Sequence, residues 1–202
     1  MSYFTQQQII REAARAGGST SYSAEVRLKS EAKSARTSYD VFLSHAFTDA
    51  RLILGVKAVL EAMGLTVYVD WLDDPELDRG KVTSSTADRL RQRMQQSKSL
   101  IFATSQASVV SKWMPWELGY FDGRHGSEQV AIFPLVASSD STFLGQEYLG
   151  LYPRVEQLRS TYGYTPEAVV TRGQYYRESK ALRDFVNGRS TFSASTFQQP
   201  VS

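Results

Sequence analysis

Two tryptophans and a carboxylate fall together in the segment Ser111-Lys-Trp-Met-Pro-Trp-Glu117. On a helix, Trp113 and Glu117 are one turn apart and share a face. Pro115 has no backbone N–H, so it must occupy the first turn or bend the helix. Glu117 then lies near a helix N-terminus, where the dipole favours a negative charge. Indole rings beside a carboxylate can hold a flat cationic ring by stacking and cation–π attraction. The same residues admit a plainer reading, with both indoles packed in a core and Glu117 a solvated acid of the first turn. Spacing alone leaves both open.

Other chemistries are excluded by what the chain lacks. Its 202 residues contain no cysteine, which removes disulfides, thiolate zinc sites and a cysteine nucleophile. Two histidines, His45 and His125, are too few for a histidine-built metal centre. No Gly-x-Gly-x-x-Gly or Walker A sequence follows a strand, and no Gly-x-Ser-x-Gly elbow is present. Asp49 and Asp70 are too isolated to build the magnesium pocket of a receiver domain. A net charge of +2 without runs of like charge gives no reason to expect a nucleic-acid partner. The first residues do not form a signal peptide, and no apolar run has membrane-spanning length. The expectation is therefore a cytoplasmic chain without nucleic-acid or membrane partners, metal or resident cofactor.

The elements that must position these residues follow from periodicity. Residues 5–16 read as a helix, with Thr5 and Gln8 at capping-box spacing and Gly17-Gly18 ending it. Residues 19–37 are polar, either linker or a second amphipathic helix. From Tyr39 onward, short apolar strands alternate with helical segments. The strands are Tyr39–Ser44, Leu65–Asp70, Leu100–Thr104 and Gln129–Val136. Between them lie a helix capped by Asp49, with Leu52, Val56, Val59, Leu60 and Met63 on one face, then helices over Thr86–Gln96 and Ser111–Gly123. Residues 137–173 show no regular pattern, and a last helix is expected over Gln174–Asn187, turning Tyr176, Leu182, Phe185 and Val186 inward. This order predicts an α/β fold with a parallel central sheet and helices on both faces. In such sheets ligands bind outside the carboxyl ends of the strands. That points to Ser44-His45-Ala46, Asp70-Trp71 with the acidic loop to Val82, Ser105–Ser111 and Ala137–Ser141.

Four segments, in order, resemble the TIR (Toll/interleukin-1 receptor) family. Tyr39-Asp-Val-Phe-Leu-Ser-His45 resembles box 1, and Trp71–Val82 stands in the place of the BB loop. Ser111-Lys-Trp113 followed by Glu117 is similar to the helix carrying the catalytic glutamate, and Phe143–Pro153 resembles the segment after the fourth strand in bacterial members. The resemblance runs over about Tyr39–Asn187. In size and layout the chain resembles stand-alone anti-phage TIR proteins of the Thoeris sensor type. The loop lacks the Arg-Asp-x-x-Pro-Gly form of receptor TIR domains, which argues against their mode of adaptor docking.

The resemblance implies a flavodoxin-like TIR domain over 38–188, a helical arm and linker over 1–37, and a flexible C-terminal tail over 189–202. It implies cleavage of the nicotinamide–ribose bond of NAD⁺ as substrate, giving ADP-ribose or a cyclic ADP-ribose-type signal. Glu117 would stabilise the oxocarbenium-like transition state. Trp113 would shape the nicotinamide pocket with Trp116 beside it, while Phe42 and Ser44 line the cleft. Trp71 and the acidic loop would gate the cleft or meet another subunit. The implied partners are other TIR subunits, which complete the site in many members, and a nucleotide-sensing effector reached by a diffusible product. A non-catalytic TIR–TIR scaffold is the alternative, and a nucleoside deoxyribosyltransferase-like enzyme a third. On their own residues, Phe42 is equally a core residue, Ser44 a turn cap and His45 an ordinary hydrogen-bonded loop histidine.

Overall fold

The computed structural model describes residues 2–17, 37–46, 50–74, 83–105, 108, 111–138, 141, 143, 145–158, 167–173, 177–189 and 191–194. The expectations for 19–36, Asp49, most of the acidic loop (75–82), Tyr176 and the chain after 194 lie outside these residues. The elements in chain order are β1 Phe4–Thr5, α1 Gln6–Gly17, β2 Tyr39–Ser44, α2 Ala50–Ala62, β3 Val67–Tyr68 and α3 Asp70–Asp73. They continue as α4 Ser84–Gln95, β4 Ser97–Thr104, α5 Trp113–His125, β5 Val130–Val136, β6 Arg154–Leu158, β7 Glu167–Arg172, β8 Glu178–Ala181, α6 Leu182–Val186 and β9 Ser193–Ala194.

The sheet runs β3-β2-β4-β5-β6-β7-β8-β9, with β1 beside β5. Pairing is parallel from β3 to β6 and antiparallel from β6 to β9. The parallel part has the doubly wound order in which the chain starts in the middle and turns first one way, then the other. The two turns diverge between β2 and β4, the switch point where such sheets take ligands.

Alternation along the strands builds two cores. Val41, Leu43, Ile101, Ala103, Ala131 and Phe133 face one side, under Ile9 of α1, Val56 and Leu60 of α2 and Phe185 of α6. Phe42, Leu100, Phe102, Val130 and Ile132 face the other, under Leu90 and Met94 of α4 and Met114, Leu118 and Phe121 of α5. Helices therefore cover both faces, as the pattern predicts.

Local chemistry sets several boundaries. In the capping box at the start of α1, the Thr5 N–H donates to Gln8 Oε1 at 2.8 Å and the Gln8 N–H to Thr5 Oγ1 at 3.2 Å. Gly64, at φ 77°, ends α2 in the left-handed region that favours glycine. Pro134 marks a change of neighbour on β5. The Ile132 N–H donates toward β6, to Pro153 O at 2.9 Å. Two residues on, proline has no donor for that ladder, and β1 takes over at Leu135 and Val136.

Four expectations are corrected. The region 137–173 is not irregular throughout, since it contains β6 and β7. The last helix begins only at Leu182, because Glu178–Ala181 pairs with β7 and carries no apolar helical face. β3 is shorter than Leu65–Asp70, because the Val69 N–H donates to the Asp73 carboxylate at 2.7 Å and the chain turns into α3. β4 starts at Ser97, whose hydroxyl donates to Arg93 O at 2.8 Å, while Ser99 donates to Asp40 O at 2.9 Å.

Candidate active site

Helix α5 begins at Trp113, so Pro115 is its third residue and its missing N–H costs no helical bond. The Ser111 hydroxyl accepts from the Met114 N–H at 3.3 Å and helps start the turn. Glu117, one turn in, points at the sheet beside Met114, Leu118 and Phe121 and is fully buried. It is not a solvated first-turn acid, which corrects the plainer reading. A buried carboxylate must be met by donors, and one is the Ser44 hydroxyl, which donates to Glu117 Oε2 at 2.6 Å. Ser44 is the last residue of β2 and is itself fully buried. The two residues thus meet at the carboxyl end of β2, at the switch point.

Phe42, two residues earlier on the same face, is 1% exposed and stacks on Tyr68 with ring centroids 5.2 Å apart. It forms the floor beneath Ser44 within the core. Trp113 and Trp116 are half-buried and meet edge to face at 5.4 Å. Trp113 shares the helical face of Glu117. Trp116 turns away, stacking on Tyr120 at 5.9 Å under the Arg91 guanidinium at 5.3 Å. It therefore belongs to the α4–α5 contact. After β4, the Ser108 hydroxyl donates to Ser105 O at 2.7 Å and accepts from the Ser105 N–H at 3.1 Å. It also takes the Thr104 hydroxyl at 2.8 Å, so these buried hydroxyls close the turn at the same end of the sheet.

Trp71 lies on α3, at the carboxyl end of β3. Its indole N–H donates to His45 Nε2 at 2.9 Å. His45 is fully buried, and its Nδ1 is 2.8 Å from Leu43 O. Asp70 Oδ1 is 3.3 Å from His45 Nε2. The end of α3 is anchored by Asp74, 3% exposed, which accepts from Arg93 Nε and Nη2, each at 2.7 Å, and from the Tyr68 hydroxyl at 2.9 Å. Burial would raise the Asp74 pKa, but the bonds from Arg93 and Tyr68 outweigh it and hold the carboxyl below its usual value. Burial pushes the Asp73 carboxyl up, and burial with the Asp73 charge pushes the Tyr39 hydroxyl up to about 12.

Sequence reasoning singled out Glu117, Ser44, Phe42, Trp113, Trp116 and Trp71, and the structure brings Ser44 and Glu117 into contact. It did not find the parts played by His45, Asp74 and Arg93, whose partners lie 19 to 26 residues away in the chain. Asp74 in an acidic run gave no sign of burial, because charge runs usually face water. Among the described residues, no group of three or more histidine, aspartate or glutamate side chains is placed to hold a metal ion. No helix among them is long and apolar enough to cross a membrane.

A cavity of about 620 Å³ opens at the opposite end of the sheet, lined by Glu128 before β5, Arg154 at the start of β6, and Arg172 and Arg177. Its arginines are largely matched within the chain, Arg177 by Glu156 and Arg172 by Glu178 at 2.7 Å.

Residues 41–157 match the family model described as TIR domain. A protein of Bacillus cereus (strain MSX-D12), named "Probable 3' cyclic ADP-D-ribose synthase ThsB'", is 59% identical over 118 residues, 58% of this chain and 60% of that protein. A protein of Cytobacillus dafuensis, named "Putative cyclic ADP-D-ribose synthase TIR2", is 34% identical over 83 residues, 41% of this chain and 22% of that protein. The matched region thus spans three-fifths of the first relative's length and about a fifth of the second's.

Proposed function

The chain belongs to the TIR-domain family, and we propose that it cleaves the bond between nicotinamide and ribose in NAD⁺, with Glu117 as the catalytic carboxylate. The observation that carries this reading is the fully buried Glu117, oriented by the Ser44 hydroxyl at 2.6 Å at the switch point of the sheet. The printed names of the two relatives, both cyclic ADP-D-ribose synthases, support it.

The chemistry suits one carboxylate. As the C1′–N bond breaks, its electron pair leaves with nicotinamide, which departs neutral, and positive charge develops over C1′ and the ring oxygen of the ribose. A negative charge already in place, and desolvated, stabilises that transition state without rearrangement. Trp113 stacks near the nicotinamide ring, with Trp116 bracing it edge on. Phe42 supports Ser44 from below, and Trp71 walls the cleft on the β3 side. Attack by water on C1′ gives ADP-ribose and a proton. Attack by a hydroxyl or ring nitrogen of the adenosine half gives a cyclic isomer, again with loss of a proton. The relatives' names favour the cyclic outcome. A cyclic product is diffusible, and its chemical partner would be a nucleotide-sensing effector in cytoplasmic anti-phage signalling. Other TIR subunits would complete or open the site.

The test is to incubate the protein with NAD⁺ over a concentration series, with and without a macromolecular crowder, and to separate the products. Wild type should release nicotinamide together with a cyclic ADP-ribose isomer or ADP-ribose, and Glu117→Ala should not. Equal release by both proteins, or none from either under every condition, removes the enzyme reading.

A further inference from the structure

The antiparallel half of the sheet carries an inference at the end opposite Glu117. Val155 of β6 and Val170 of β7 turn into the core beneath α1, α2 and α6. Their neighbours alternate to the other side, where Arg154, Glu156 and Thr171 line the cavity of about 620 Å³. Its buried acid is already matched. Glu156, 3% exposed, accepts from the Thr171 hydroxyl at 2.9 Å and from Arg177. Arg172 is met by Glu178 at 2.7 Å. Arg154 differs. Among the described residues it meets no carboxylate, and one of its N–H donors is matched, Nη1 donating to the Tyr3 hydroxyl at 3.1 Å. Its guanidinium also lies over the Phe143 ring at 5.5 Å, and Tyr3 and Phe143 pack edge to face at 6.3 Å. Holding a long cationic side chain in this way costs conformational entropy, and no carboxylate among the described residues offsets it. A guanidinium held with open donors at a cavity is suited to take a phosphate through paired N–H···O bonds.

We propose that this cavity is a second ligand site, which binds a flat-ringed organic phosphate of nucleotide size with its phosphate on Arg154. Pockets of roughly 300–1,000 Å³ hold small organic ligands, so a bare ion would leave most of this space empty. Tyr3, Tyr152 and Phe192, each half-buried, are the aromatic members of the lining and supply ring surface for a base. Glu128, exposed in the same lining, accepts from sugar hydroxyls. The pairing of Glu156 with Arg177 removes the charge that would otherwise repel an anion from the floor. None of this rests on the chemistry assigned to Glu117, which lies at the carboxyl end of β2, whereas Arg154 stands at the start of β6.

The test is calorimetric titration of the full chain with AMP at low salt, beside adenosine and inorganic phosphate as its separate parts. AMP should bind more tightly than either. Arg154→Met keeps an aliphatic stem against Phe143 and removes the charge. It should weaken AMP binding by about ten- to a hundredfold, the worth of a charge-assisted hydrogen bond, and leave adenosine binding unchanged. Leu151 also lines the cavity and is 77% exposed, so its replacement leaves the core intact. Leu151→Glu should weaken AMP binding and Leu151→Lys should tighten it, each by about two- to threefold, with the difference fading at high salt. This pair decides the matter if Arg154→Met does not fold. No binding of AMP to wild type overturns the inference, as does equal affinity in wild type and Arg154→Met. Phosphate bound as tightly as AMP overturns the nucleotide class. AMP binding lost in Glu117→Gln but kept in Arg154→Met places the ligand at the proposed active site and overturns the second site.

Discussion

Removing the Ser44 hydroxyl tests how Glu117 is held. Ser44→Ala deletes one oxygen from a fully buried site and takes away a donor 2.6 Å from Glu117 Oε2. The carboxylate stays in place on α5, so the change falls on its orientation. A hydrogen bond to a charged acceptor contributes about 1.5–3 kcal/mol. Since about 1.36 kcal/mol is tenfold in rate, loss of the bond at the transition state lowers kcat by roughly ten- to a hundredfold. The assay is the initial rate of nicotinamide release against NAD⁺ concentration, with circular dichroism confirming the fold. The orientation set by this bond is needed only as charge develops, so kcat should carry the loss while KM moves little. A folded Ser44→Ala protein with kcat within twofold of wild type would refute the claim that Ser44 orients the catalytic group.

Other substitutions probe the frame around the site. Arg93→Met leaves Asp74 buried with the Tyr68 hydroxyl still bonded, and should cost about 3–5 kcal/mol in denaturant-induced unfolding. Because the bonds from Arg93 and Tyr68 outweigh burial and hold the folded Asp74 pKa below its unfolded value near 3.9, the pair stabilises the fold fully above that value. That contribution is lost as pH falls through the lower folded value, so wild type and Arg93→Met should converge in stability on strong acidification. Gly55→Ala would bring a methyl within 2.6 Å of Ile9 Cγ2 and 2.8 Å of the Ile9 carbonyl carbon, so α1 must shift off α2. A loss of about 1–3 kcal/mol in chemical unfolding is expected. His125, stacked on Phe121 at 4.3 Å, has its pKa lowered by burial and then by Arg124. Its neutral form contributes stability that is complete above the unfolded value near 6.5 and declines as pH falls through the folded value. His125→Gln should flatten the stability curve in that window.

Particular residues explain what could be foreseen. Tyr39–Ser44 matches its strand at both ends, because its apolar residues are bounded by a polar start and a turn. Thr5 and Gln8 announced α1 through a local capping box, and Pro115 could stand only where the helix needed no donor. Glu117 was legible as a candidate, but its burial was not, since burial depends on Ser44, which lies 73 residues earlier. Long-range pairing also hid β8. Glu178-Ser-Lys-Ala181 has no strand pattern of its own and takes its conformation from the ladder of β7. β7 itself carried a readable sign in Ala168-Val-Val-Thr171, a short β-branched run. The short helix at Asp70–Asp73 reads as a strand end followed by polar loop, because its stabilising contact is a side chain folding back onto the Val69 N–H. His45 and Arg93 acquire their roles only when β3 and α3 are set beside β2 and α4.

The most direct test of the central claim is nicotinamide release by Glu117→Gln, measured beside wild type under the conditions that give wild type its highest rate. Glutamine keeps the size of the side chain and can still accept from Ser44, so the fold should persist while the negative charge is gone. A preorganised charge facing the transition state is worth on the order of a hundredfold or more in rate. A folded Glu117→Gln protein should therefore release nicotinamide at least about a hundredfold more slowly than wild type. Release at the wild-type rate would contradict the assignment of Glu117 as the catalytic carboxylate.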